Sequence, residues 1–310
     1  MPNWNDVLRE ITDYKAEHSR QAQAAVDAVR RKYLDLLFQH SGRNTIAYYS
    51  GFLSKPNLDG IEITDEDKNG FMMAVHGLDR SRGLDLIIHT PGGGIAATQS
   101  LVDYLRRMFG KNIRAVIPQI AMSAGTMMAC ACREILLTRH ANIGPIDPQL
   151  RGVPAHGVIQ EFRRAAREIK KDSTKLGVWQ PILSKYQPTF LSQCENAIKW
   201  SESFVAAELK AVMFEGDSDA AIKAKKIVKA LSSYQTNKAH SRHLHYDEAQ
   251  RMGLRVSLVE SNQEFQDLLL TVHHCYMHSL MNTSAFKMIE NHRGAAFVKH
   301  AQMQAIPGVQ

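Results

Sequence analysis

Cysteine is scarce in this chain: there are four in 310 residues, and none stands in a C-x-x-C pair. Cys130 and Cys132 flank one alanine inside a helix-like stretch, while Cys194 and Cys275 are isolated. That spacing excludes a disulfide-stapled scaffold and a paired-thiol motif, and the thiols read as small buried side chains of a reducing compartment. Long apolar runs are missing as well. The nearest to one, residues 113–138, is broken by Arg114, Pro118, Gln119 and Arg133, short of the roughly 18 uninterrupted apolar residues of a membrane span. The first residues, MPNWNDVLREITDYKAEHSRQ, are acidic and polar where a signal peptide is basic and then apolar. The expectation is a soluble, cytoplasmic protein with no membrane contact. Internal repeats and low-complexity segments are also lacking.

What is present fits a globular chain with a sizeable core: 44% of the residues are hydrophobic. The formal net charge of +7 is modest and spread along the chain, which suits a solvated basic surface better than a dedicated nucleic-acid face. Residues 3–40 are expected to form one long charged helix with a thin apolar stripe (Val7, Ile11, Tyr14, Ala25, Val29, Tyr33). So narrow a face must lie on the main body, a sister subunit or a partner protein, and the sequence leaves these open.

From residue 44 the pattern changes. NTIAYYSGF (44–52), LDLIIHT (84–90), IRAVIPQ (113–119) and EILLT (134–138) read as strands. DEDKNGFMMAVHGL (65–78), AATQSLVDYLRRMF (96–109) and AGTMMACAC (124–132) read as helices between them. Alternating strands and helices with short connections predict an α/β fold with a parallel sheet. From 156 onward the chain is helical until HLHYDEAQRMGLRV, which leads into a last strand, VSLVE. Residues 262–290 are expected to be one more helix and AQMQAIPGVQ a loose tail. The partition expected is an N-terminal charged helix (1–43), a main domain (44–262), and a C-terminal helix with a flexible tail (263–310).

Two turns carry the chemistry. IHTPGGG (88–94) ends a strand in three glycines, which permit unusual backbone angles and leave N–H groups free to point into a site. It is not G-x-G-x-x-G and no G-K-S/T follows, so phosphate binding is weakly supported. AMSAGT (121–126) places Ser123 among very small residues where a strand gives way to a helix. Alone, such a serine reads as a helix N-cap. Paired with a glycine turn one βα unit away, it reads as a nucleophile. An N–H after the serine and another from the glycine turn would then make an oxyanion hole.

These stretches, LDLIIHTPGGGIAATQSLVDYL and IRAVIPQIAMSAGTMMACACREILLTRHANIGPIDPQL, resemble the ClpP/crotonase superfamily, and within it the SppA-like serine peptidases of the serine dehydrogenase proteinase family. YDEAQRMGLRVSLVE (246–260) looks like that superfamily's closing helix–strand element. The resemblance spans roughly 45–262. It implies a repeated ββα/βαβ spiral core with a parallel sheet and added helices, no cofactor and no metal, a peptide or protein substrate, and assembly into a homo-oligomer. It also implies that Ser123 is the nucleophile and that Gly93 and Ala124 supply the oxyanion donors, with Gly92 and Gly94 keeping the substrate groove open. The place of the ClpP histidine falls near Pro145, so the general base is open among Lys175, Lys185 and His240. Asp147 lines the groove or orients the base. His240, His243 and His245 have a spacing that suggests zinc, yet no acid or cysteine completes a ligand set. The leading function is a soluble serine endopeptidase. A crotonase-like acyl-CoA enzyme uses the same two amides without the serine. A catalytically silent scaffold would bind a protein or nucleic acid through its basic surface and residues 3–40.

Overall fold

The computed structural model describes residues 4–18, 24–233 and 237–301. Two helices open the chain, α1 (Trp4–Glu17) and α2 (Ala25–Ser41). Strand β1 (Asn44–Ser50) and helix α3 (Asp67–Val75) follow, then β2 (Leu84–His89), α4 (Ile95–Phe109), β3 (Ile113–Ile117), β4 (Ile120–Ala121), α5 (Ala124–Cys130), β5 (Glu134–Leu137) and β6 (Asn142–Ile143). A small hairpin of β7 (Gln149–Leu150) and β8 (Val153–Pro154) leads into α6 (Ala155–Lys171), α7 (Leu176–Leu183), α8 (Phe190–Glu208) and α9 (Ala220–Ser232). The chain closes with α10 (Tyr246–Met252), β9 (Val256–Leu258), α11 (Gln263–Asn282), β10 (Ala285–Asn291) and β11 (Ala296–His300).

Seven strands form the main sheet in the order β11-β10-β1-β2-β3-β5-β9. The five from β1 to β9 run parallel, while β10 is antiparallel to β1 and β11 to β10. β4 and β6 pair in a second small parallel sheet, which Thr90 joins through a bridge to Ala121. Each of β3 and β5 thus runs on into a short strand of the second sheet. This is the ββα arrangement that the family resemblance implies.

The sheet is buried on both faces, which explains the unbroken apolar run of β2. Leu84, Leu86 and Ile88 face a core with Leu101, Leu105 and Met128. Ile87 faces the other core with Leu37, Leu269 and Tyr276. Leu101 and Leu105 lie one turn apart on α4, and Gly110 closes that helix with positive φ and its N–H on the Arg106 carbonyl (2.8 Å). All four cysteines are buried and free, and burial pushes the thiols of Cys130, Cys132 and Cys275 up to about 12.

Two expectations are corrected. The single helix of residues 3–40 is two helices, with residues 19–23 outside the described residues. Their narrow apolar face is covered within the chain: Val7 and Ile11 of α1 pack on Ala25, Val29 and Cys275, and Leu34 and Leu37 of α2 pack on the sheet side of α11. The helix expected over 262–290 ends at Asn282, and residues 285–291 form a strand inside the main sheet. AFKMIEN carries residues that favour helices, and its charges hide the burial of every position. Glu290 accepts from Arg30 Nε (2.6 Å), Arg31 Nε (2.7 Å) and the Tyr276 hydroxyl (2.9 Å), which docks α2 onto β10. Lys287 pairs with buried Asp67. The segment expected as a tail lies, apart from Ala301, outside the described residues.

The end of β2 carries a further buried group. His89 is fully enclosed by Tyr49, Phe52 and His273, and among the described residues neither of its ring nitrogens has a hydrogen-bond partner. Burial pushes its pKa down to about 3. His273 is also pushed well down by burial, and then by its histidine neighbours His89, His274 and His140. Both rings are therefore neutral at pH 7. The unfolded chain protonates them below about 6.5, whereas folded His89 does so only near 3. Between those values unfolding takes up a proton, so stability should fall as the pH drops, by up to about 1.4 kcal/mol per pH unit from His89 alone. Chemical denaturation of wild type and His89→Leu from pH 7 to pH 4 checks this. The variant should lose less stability on acidification, and equal losses would contradict the assignment.

Candidate active site

The strand ends on one edge of the sheet build the site. After β2 the chain runs through Thr90 and Pro91 into Gly92 (φ 107°) and Gly93 (φ 157°), backbone angles that side chains resist. This turn is paired with the backbone of Ile63. The Ile63 N–H donates to the Gly92 carbonyl (2.7 Å), and the Gly94 N–H donates to the Ile63 carbonyl (3.0 Å). Gly93 lies between those two bonds. A Cβ on it would sit 2.3 Å from the Ile63 nitrogen and 2.4 Å from its oxygen. A Cβ on Gly92 would meet Ser123 Cβ at 2.7 Å. Gly94 differs: its φ is an ordinary −68°, and a Cβ there meets nothing nearer than 3.8 Å. Of the two glycines expected to keep the groove open, Gly92 is required by close approach and Gly94 is not.

Ser123 stands between β4 and α5 at φ 51°, ψ −115°. A non-glycine residue there stores about 1–3 kcal/mol of strain, which the surrounding structure must hold. Its carbonyl opens α5 by accepting from the Met127 N–H (3.1 Å), but its hydroxyl makes no capping bond. The simple N-cap reading therefore lacks its hydrogen bond. Among the described residues, neither the Gly93 N–H nor the Ala124 N–H reaches a protein acceptor. Both orphan donors flank Ser123: Gly93 lines the cavity with it, and Ala124 is the next residue, at the positive end of a short helix.

A cavity of about 700 Å³ opens over this turn, lined by Gly93, Gly94, Ser123, Met127, Trp200 and His240, with the β7–β8 hairpin along one side. His240 is held by its neighbours in the chain. Asn237 Nδ2 donates to the Leu231 carbonyl (3.0 Å), and Leu244 exchanges two backbone bonds with Ile143 (2.9 and 3.0 Å). The His240 Nδ1 lies 3.0 Å from Asp147 Oδ1. Asp147 is buried, and its turn is fixed by Ser201 Oγ on the Ile146 carbonyl (2.8 Å). An ionised carboxylate can only accept, so in this pairing Nδ1 carries the proton and Nε2 is left without one.

The structure thus gathers Ser123, Gly93, Ala124, Asp147 and His240. It does not gather the lysines. Lys175 sits on an outer turn 3.8 Å from Glu168, about half exposed, and Lys185 is exposed on the same helical half; neither lines the cavity. A general base must come within hydrogen-bond reach of the hydroxyl it serves, and of the three candidates His240 is the one that shares the cavity with Ser123. Among the described residues no group of three or more histidines, cysteines or acids is placed to hold a metal ion.

Several lining residues escape sequence reasoning. Trp200, Met127, Ile95 and Leu150 give the cavity apolar walls, while Glu62 and Arg151 add charge. They come from five segments and no local pattern joins them. At the other end of the strands, Arg43, Arg114, Arg133 and Arg255 line a cleft of about 560 Å³. Arg43 and Arg114 share buried Asp85 (2.7 and 2.6 Å), and Arg255 bonds Asp217 (2.9 Å), so much of that charge is matched internally.

Known proteins resemble this chain over much of its length. The family profile of ClpP-like SDH-type serine proteinases matches residues 43–289, which runs past residue 262 into β10. Two proteins of Methanocaldococcus jannaschii are similar to part of the chain. Uncharacterized protein MJ0137 is 30% identical over 160 residues, 50% of this chain and 53% of that protein. Uncharacterized protein MJ1495 is 31% identical over 171 residues, 55% of this chain and 51% of that protein. The chain spans about half the length of these curated relatives. Among the described residues no helix is long and apolar enough to cross a membrane.

The contact of Gly93 with Ile63 makes a prediction about stability. Gly93→Ala should destabilise the fold by about 1–3 kcal/mol, the usual cost of overpacking. Gly94→Ala should be neutral or slightly stabilising, because its backbone angles suit any residue. Thermal melting of the two variants checks this, and equal melting temperatures would contradict the packing described.

Proposed function

We propose, for a chain that belongs to the family of ClpP-like SDH-type serine proteinases, that it hydrolyses peptide bonds with Ser123 as nucleophile and the His240–Asp147 pair as its general base. The observation that carries this reading is that His240 lines the same cavity as Ser123 while its Nδ1 is held by buried Asp147. In the first step Ser123 Oγ attacks the peptide carbonyl carbon and His240 Nε2 takes the hydroxyl proton. The carbonyl oxygen becomes an oxyanion between the Gly93 and Ala124 N–H groups, two donors without protein acceptors among the described residues. His240 then gives its proton to the leaving amine, and an acyl group remains on Ser123. Water attacks that ester with His240 again as base, which releases the acid and restores the hydroxyl.

Asp147 keeps the imidazole in the tautomer that the first step needs and stabilises the imidazolium that the step creates. The strained backbone of Ser123 presents the hydroxyl at the head of α5, clear of neighbouring side chains because Gly92 lacks one. The apolar walls around Met127 and Trp200 support a peptide substrate lying along the cavity. Assembly into a homo-oligomer belongs to the same proposal, supported by exposed apolar side chains on the helical half, with Val178 62% and Ile222 73% exposed.

A fluorophosphonate should label wild-type protein at Ser123 and leave Ser123→Ala unlabelled. His240→Ala and Asp147→Asn should each slow labelling and peptide hydrolysis by about 10⁴-fold, the scale of losing the base or its tautomer. Lys175→Ala and Lys185→Ala should react at the wild-type rate. Fast labelling of His240→Ala, or a comparable loss in either lysine variant, would refute the assignment of the base.

A further inference from the structure

The glycine turn owes its position to the segment just before α3, and that segment is held from behind by buried polar side chains. Ile63 makes both backbone bonds to the turn, one to the carbonyl of Gly92 and one from the N–H of Gly94. On one side of Ile63, the Glu62 carbonyl accepts from Lys287 Nζ (2.5 Å). On the other, the Thr64 N–H donates to Asp67 Oδ2 (3.0 Å). Lys287 Nζ also donates to both oxygens of Asp67 (2.8 and 2.9 Å), and the Tyr48 hydroxyl donates to Asp67 Oδ2 (2.8 Å). One residue further back, Ser50 Oγ donates to the Ile61 carbonyl (2.7 Å). Lys287, Asp67, Tyr48 and Ser50 are all fully buried.

A buried ion pair is a poor device for stability. Removing two charges from water costs several kcal/mol, and well-packed neutral residues often serve the fold as well or better. What such a pair supplies well is a fixed place for what it touches. Here it touches the two peptide groups on either side of Ile63. We propose that Lys287, on β10, is a positioning residue for the oxyanion donor at Gly93, acting through Asp67 and the Glu62–Ile63–Thr64 backbone. The proposal rests on the proteinase reading of the site for its catalytic consequence, although the hydrogen-bonded chain can be tested without it. Lys287 touches no substrate: one strand of the sheet holds the backbone that holds the turn.

The fold places these groups for a reason visible in the pairing. β10 lies beside β1 and opposite α3, so a side chain at 287 points into the space between the sheet and the loop that carries Glu62. Lys287 spans that space with its aliphatic stem and delivers its ammonium to an acceptor on each side. A shorter or apolar side chain fills the volume without gripping the carbonyl.

The test uses a neutral replacement of the pair, Lys287→Met with Asp67→Asn. The amide retains an acceptor for Tyr48 and for the Thr64 N–H, while the grip on the Glu62 carbonyl is lost. The double variant should melt near the wild type, keep KM within about threefold, and lose about 10²-fold in kcat, the scale of one misplaced oxyanion donor. Amide hydrogen exchange at Ile63 and Gly94, measured by NMR or mass spectrometry, should speed up by about tenfold or more. A stable double variant with wild-type kcat and wild-type exchange would overturn the proposal, since a merely structural pair leaves both unchanged. If the wild type proves to have no hydrolytic activity, the proteinase reading fails, and exchange at Ile63 and Gly94 alone decides whether the clamp exists. If the double variant does not fold, Lys287→Arg keeps the charge beside Asp67 while shifting the donors from the place where Nζ meets the Glu62 carbonyl. It should then speed exchange at Ile63 and lower kcat by a few-fold, and a folded Lys287→Arg protein with wild-type exchange and kcat would overturn the proposal equally.

Discussion

Two backbone hydrogen bonds between Ile63 and the glycine turn fix where Gly93 can be, at 2.7 and 3.0 Å. Because a Cβ at Gly93 would fall on the Ile63 backbone itself, the turn has one packing and the sequence has one residue that permits it. The Gly93 N–H lies between the paired groups and is left without a protein partner among the described residues. Gly92, next to it, admits Ser123 at a distance that no other residue would allow. The strained serine, the two free donors and the cavity above them follow from that contact between a strand end and an edge segment.

Around this contact the molecule spends its buried charges on location. Glu290 ties α2 and Tyr276 to β10, Asp67 and Lys287 tie β10 to the segment behind the glycine turn, and Asp147 holds the ring of His240. Each carboxylate is at most 2% exposed and each has several donors or a dedicated partner. Buried pairs of this kind add little to stability by themselves. They make the alternatives costly, because any rearrangement would leave a charge uncompensated. His89 is the exception: it is buried near the same strand end with neither ring nitrogen satisfied among the described residues.

The sequence makes some of this visible and hides the rest, for physical reasons. The strands β2, β3 and β5 are short apolar runs, the first two with glycine or proline near their ends, and the two turns carry residues that few other structures require, so these strands and Ser123 are legible locally. The family resemblance read from those motifs is matched by the profile over residues 43–289. Strand β10 is not legible, because Lys287 and Glu290 look like solvated helix charges until their partners, 220 and 260 residues away in sequence, are placed. The choice among Lys175, Lys185 and His240 is equally long-range. All three are ordinary side chains in polar stretches, and only the fold brings one of them beside Asp147 and the serine's cavity. The break between α1 and α2 is not legible either, because the apolar stripe runs through both in a similar register.

The central claim is that the Gly93 and Ala124 amides, Ser123 and His240 converge on one reacting carbonyl. A crystal structure of the protein after reaction with a fluorophosphonate tests it directly. The account predicts a phosphorus atom bonded to Ser123 Oγ, its phosphonyl oxygen about 2.7–3.1 Å from both the Gly93 and Ala124 nitrogens, and His240 Nε2 within hydrogen-bond reach of the adduct. An adduct on another residue, or a phosphonyl oxygen turned away from both amides, would contradict it.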